Sequence, residues 1–116
     1  MSPALPPAVE AQIRAAIAGQ NVITCTYLGH PRTVHPLVLF DPREGSRAVA
    51  CWQIAGTSST GRTPPFWDTF TLSRIADLVV TPEVFTVTPE GYNPASNRYA
   101  RVLYAVPRTQ TAGSPQ

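Results

Sequence analysis

Three arginines stand where a small β domain would bring its strand ends together: Arg32 opens one apolar segment, Arg47 opens the next, and Arg74 terminates "FTLSR". Guanidinium groups bind phosphate through paired hydrogen bonds, and Tyr27, Trp52 and Trp67 offer flat faces on which bases can stack. These residue types imply recognition of anions and bases. Each also has an ordinary structural role, a surface ion pair contributing under about 1 kcal/mol and Trp52 filling a core. Phe70 and Leu72 have the spacing of inward-facing strand residues, and the same series arrives at Arg74. If the strand ends at Leu72, Arg74 falls in the turn "SRIA", with its stem on apolar neighbours and its head group free. That placement avoids the several kcal/mol cost of an unpaired buried charge. The alternative is a clamp in which Arg74 bonds to Asp77 or to backbone carbonyls and holds the turn.

Catalytic groupings are weaker. His30 falls in a hairpin turn. His35 shares a strand face with Leu37 and Leu39, where a lone histidine is ordinarily a hydrogen-bonded structural residue; it stays among the ligand-binding candidates with Arg74, Arg32, Arg47 and Tyr27. No carboxylate stands at a metal-ligand spacing from either histidine, so neither a metal nor a cofactor is expected. Ser73, Cys25, His35 and Asp77 supply the types for a nucleophile set, but there is no GxSxG elbow, and no enzyme is expected. "GTSSTGRT", residues 56 to 63, resembles a phosphate-binding loop with Arg62 in place of lysine. Pro64 and Pro65 follow at once and forbid the helical entrance such a loop requires, so a flexible loop is the reading.

The elements that must position these residues follow from periodicity. With 116 residues, 43% of them hydrophobic, the chain forms one domain with a core of its own. Residues 1–6 read as a flexible lead-in. "PPAVEAQIRAAIAGQ" spaces Val9, Ile13 and Ile17 four apart and predicts a helix over residues 7–18, with Gly19 ending it. "NVITCTYL" and "RTVHPLVLF" alternate on either side of "GHP" and predict a hairpin. "RAVACWQIA", "FWDTFTL" and "DLVVTPEVFTV" supply three further strands. A helix followed by five short antiparallel strands predicts a mainly β fold, a small five-stranded Sm-like or SH3-like barrel over residues 7–88, because closure removes unpaired edges. Residues 89–107 form a C-terminal extension. Asn93 and Pro94 suit a helix start, with Tyr99, Leu103 and Val106 along one face, although "VLYAV" also suits an edge strand. Residues 108–116 read as a disordered tail.

All nine basic residues are arginine, and the net charge is only +2. Arg98, Arg101 and Arg108 follow the last acid, Glu90, so positive charge collects at that end, yet three arginines fall far short of a dedicated nucleic-acid surface. Cys25 and Cys51 lack a CxxC or ligand spacing and read as buried free thiols. No signal peptide or membrane span is visible, which predicts a cytoplasmic protein without a membrane role.

In order along the chain, Ile23 and Tyr27, Arg32-Thr33-Val34-His35-Pro36 through Leu39, and Phe70-Thr71-Leu72-Ser73-Arg74-Ile75 resemble the motifs of the WYL domain of bacterial regulators. The likeness covers roughly residues 9–86. It implies an Sm-like barrel acting as a ligand-sensing module of transcription regulation for nucleotides or nucleic acids, with Arg74 and Arg32 contacting the ligand and Tyr27 walling the pocket. Arg47-Ala48-Val49 stands where the name-giving Trp-Tyr-Leu belongs. No attached winged helix-turn-helix is present in the sequence, so the resemblance implies a standalone module acting with a partner. The expected function is non-catalytic binding of a nucleotide or single-stranded nucleic acid. The alternative is a protein-interaction or homo-oligomerisation domain whose arginines serve structure alone.

Overall fold

The computed structural model describes residues 7–42, 46–89, 91–96 and 98–107; the lead-in and the tail expected from the sequence lie outside them. A single helix, α1 (Pro7–Gly19), precedes strands β1 (Asn21–Tyr27), β2 (His30–Phe40), β3 (Ala48–Gly56), β4 (Phe66–Thr71) and β5 (Ile75–Val84), followed by a short β6 (Tyr104–Ala105). α1 packs Ile13 and Ile17 into the core, and its Glu10 and Arg14 pair at 3.0 Å. The left-handed residue that follows the helix is Gln20 (φ 53°), not Gly19.

β1 and β2 join through Leu28 and Gly29, both at positive φ, with Tyr27 opposite His30. That pair of conformations matches the right-handed twist of the strands it connects. The antiparallel sheet runs β4-β3-β2-β1-β5, and β6 pairs with β2 off this path. β4 and β5 are therefore its two ends, yet only Leu72–Arg74, a 3₁₀ turn, joins them. Three residues span about 10 Å, whereas the end strands of a flat five-stranded sheet stand about 19 Å apart. The sheet must curl, and Tyr27 of β1 does stack on Phe70 of β4 across the interior, at 4.3 Å. Among the described residues β4 and β5 do not pair, so the ladder is open where a closed barrel was expected.

The extension forms the edge strand that "VLYAV" suits and not the helix. Residues 91–96 and 98–101 pass through turns, and the segment then lies along the edge of β2 that β1 leaves after Val34. Leu103 and Val106 donate their N–H groups to the carbonyls of Leu39 and Leu37, both at 2.8 Å. An uncovered strand edge needs partners for its backbone groups, and that need outweighs the helical spacing of Tyr99, Leu103 and Val106. No helix among the described residues is long and apolar enough to cross a membrane.

Candidate ligand-binding site

Along β2, Arg32 lies opposite Cys25 and in phase with Val34, so alternation turns it to the interior, where it is 3% exposed. Its Nη1 donates to Gln53 Oε1 (3.2 Å) and to Asp68 Oδ2 (3.1 Å), and its Nη2 donates to the Tyr27 carbonyl (3.2 Å). The guanidinium carbon also sits 5.5 Å from the Tyr27 ring centre and 5.3 Å from that of Phe70. A cation at this depth persists only when paired, and these contacts tie β1, β3 and β4 around it. Arg32 is an internal clamp. Tyr27 belongs to the same cluster: it is buried, and its Oη accepts the Thr71 N–H at 2.9 Å.

Arg47 points elsewhere, to α1, where its Nη1 meets Glu10 Oε2 at 2.7 Å. Its carbonyl accepts the Leu72 N–H that begins the 3₁₀ turn. This turn breaks the inward series. Phe70 and Leu72 are fully buried, while Arg74 is exposed and, among the described residues, has neither an ion pair nor a hydrogen bond from its side chain. The strand ends at Thr71, one residue before the expected Leu72, Arg74 closes the 3₁₀ turn, and among the described residues no clamp to Asp77 forms. The three arginines thus do not converge. A groove of about 350 Å³ beside the hairpin is lined by Arg32 with Thr24, Cys25, Thr26, Thr33 and Asp77 among others, whereas neither Arg47 nor Arg74 lines it.

His35 does not share a face with Leu39. It lies opposite Trp52, whereas Leu39 lies opposite Val49, because the ladder shifts register between Pro36 and Val38. A proline in an inner strand sits naturally at such a bulge. The His35 ring instead stacks on Phe85 at 4.3 Å, and burial lowers its pKa from 6.5, with Glu83 opposing. Cys25, on the interior face with Arg32, is pushed up to about 11 by burial, and Cys51 is also raised; both thiols are free and buried. Cys25 and His35 therefore occupy opposite faces of the sheet. His30 Nδ1 lies 3.0 Å from Thr57 Oγ1.

"GTSSTGRT" forms a turn that opens no helix. Gly61 N–H donates to the Ser58 carbonyl and Arg62 N–H to Ser58 Oγ, each at 3.1 Å. Arg62 covers Phe66 at 4.1 Å and reaches Asp68 at 3.5 Å.

Two further features bear on these residues. Asp68 serves both Arg32 and Arg62, and it is in phase with Phe66 and Phe70 on β4, a signal present in the sequence. On the other face, Trp67 meets Trp52 edge-on at 5.5 Å and stacks on Tyr92 at 6.1 Å, and the turns that follow Tyr92 enclose a second cavity of about 210 Å³. Tyr27 and the tryptophans, read as lining one region, lie on opposite faces. Among the described residues, no cluster of three or more His, Cys, Asp or Glu could hold a metal ion. Comparison of the chain with protein-family models, with curated proteins and with solved structures finds no match.

Proposed function

We propose that this chain is a non-catalytic, WYL-like sensing module, an Sm-like roll left open between β4 and β5, that binds a nucleotide or single-stranded nucleic acid and works with a partner. The observation that carries the reading is Arg74: an arginine held at a turn, exposed, and without a carboxylate to neutralise it among the described residues. An unpaired guanidinium is ready to bind phosphate without first giving up an ion pair. Arg32 and Arg47 are paired with Asp68 and Glu10 and are not assigned as contacts in this reading.

Fluorescence anisotropy of short DNA and RNA strands across a salt series tests it. Saturable binding that weakens with salt and falls in folded Arg74→Ala is expected. Equal binding by the variant, or none at low salt, would refute the role of Arg74. A second reading, interaction with another protein chain, draws on the edge strand β5, which leaves Val79 and Val84 more than half exposed.

A further inference from the structure

We propose that the cavity between β4 and the turns around Asn93, Ser96 and Arg98 is a second binding site, one that takes the base of a single nucleotide beside Trp67 with its phosphate on Arg98. The inference shares the ligand class of the reading above but does not depend on Arg74, which lies at the other end of β4.

The cavity is lined by Trp67, Gly91, Asn93, Ser96, Arg98 and Tyr99. Its aromatic wall is held from behind. Trp67 is fixed by Trp52 and Tyr92, and the Tyr92 hydroxyl is anchored at 2.7 Å to the Val106 carbonyl and at 3.3 Å to that of Leu37. A ring packed this way loses little freedom when a ligand arrives.

The opposite wall is built from successive turns. Ser96 N–H donates to the Asn93 carbonyl (3.0 Å), Tyr99 N–H to the Ser96 carbonyl (3.1 Å), and Ala95 N–H to Asn93 Oδ1 (3.0 Å). Ser96 Oγ accepts the Arg98 N–H at 3.3 Å and keeps its own proton to donate. Among the described residues, no carboxylate lines the cavity and the exposed Arg98 side chain has no ion pair. An aromatic wall, hydroxyl and amide groups, and an uncommitted guanidinium at the mouth suit a planar, hydrogen-bonding ring that carries negative charge. At 210 Å³ the space is below the roughly 300 Å³ at which sites for drug-sized ligands begin, so it admits one ring and leaves the phosphate at the rim.

The test uses Trp52→Phe, which leaves Trp67 as the one tryptophan of the chain, and titrates its fluorescence with AMP, CMP, GMP, UMP, the matching nucleosides and inorganic phosphate. Calorimetry on the unaltered chain repeats each titration, so the result does not hang on the folding of the variant. We expect saturable binding of at least one nucleotide, weakened about tenfold or more in its nucleoside and in Arg98→Ala. No saturable signal with any nucleotide by either method, or equal affinity in Arg98→Ala, overturns the inference. If oligonucleotides still bind through Arg74 in that case, the proposed function stands without this site. If nucleotides titrate Trp67 while oligonucleotides ignore Arg74, the reverse holds.

Discussion

Replacing Asp68 with alanine removes the one carboxylate that pairs with Arg32 among the described residues. The arginine side chain is 2% exposed and that of Asp68 23% exposed, so the pair is buried on one side and partly wetted on the other. Stranding one member of a fully buried pair costs about 3–5 kcal/mol. Here the cost is smaller, because Gln53 Oε1 and the Tyr27 carbonyl still accept from Arg32, and the Tyr27 and Phe70 rings still lie beside it. Arg62 also loses its partner, but at 48% exposure that pair contributes under about 1 kcal/mol. The expected loss is about 2–3 kcal/mol, a large share of the roughly 5–15 kcal/mol that holds a domain folded. In thermal unfolding it lowers Tm by about 8–12 °C for a chain of this size. Urea unfolding followed by tryptophan fluorescence measures it directly. The decisive comparison is Arg32→Met with Asp68→Ala: methionine fills the space between Tyr27 and Phe70 without a charge, so the double variant should regain about 1–2 kcal/mol over Asp68→Ala alone. A single variant costing under about 1 kcal/mol, or a double variant less stable than the single, would refute the clamp.

Gly56 has φ +98°, and a Cβ there would lie 2.2 Å from the Pro31 carbonyl oxygen, whereas Gly61 has φ +72° with nothing within 4 Å. Gly61→Ala should cost about 1–2 kcal/mol from backbone strain alone, and Gly56→Ala distinctly more; equal losses in urea unfolding would show that the contact with Pro31 is immaterial. His35 titrates below its ordinary 6.5 in the folded chain, so the unfolded chain binds the extra proton first as pH falls. Stability attributable to His35 is thus complete above about pH 6.5 and is lost as pH drops below it toward the lowered value. Unfolding midpoints at pH 7.5 and 5.5 should differ more in the unaltered chain than in His35→Phe, and identical differences would exclude His35 as the source.

The helix and the strand positions were legible because their signals are local. Val9, Ile13 and Ile17 set one period, and Ile23, Cys25 and Tyr27 another. Alternation also carried information about the arginines that strand-end reasoning passed over. Arg32 is in phase with Val34, and Asp68 with Phe66 and Phe70, so two opposite charges on two strands were aimed at one interior. Applied to Arg74 the same rule points inward, but the 3₁₀ turn cancels it, and no residue type in "LSR" announces such a turn. The bulge at Pro36–Val38 had a signal in Pro36 that the alternation reading passed over; one extra residue exchanges the faces of everything beyond it, and His35 parts from Leu39. The extension was misread for a different reason. Whether Leu103 and Val106 bond to their own chain or to β2 depends on where β1 stops, and that is a property of the sheet, not of the segment.

The interior clamp and the outer cavity are linked through β2. Arg32, held by Gln53, Asp68 and Tyr27, also lines the groove beside the hairpin, whereas the second cavity opens on the outside beside Trp67. On that outside, the bulge turns the Leu37 carbonyl toward Val106 and Tyr92, and Tyr92 in turn sets Trp67. The two described arginines without a carboxylate partner, Arg74 and Arg98, then stand near opposite ends of β4, a strand about 20 Å long. That distance exceeds a single nucleotide. A strand of nucleic acid long enough to reach from one to the other would meet charge alone at Arg74 and charge with an aromatic wall at Arg98. Salt would then weaken both contacts, while base identity would matter only at the cavity.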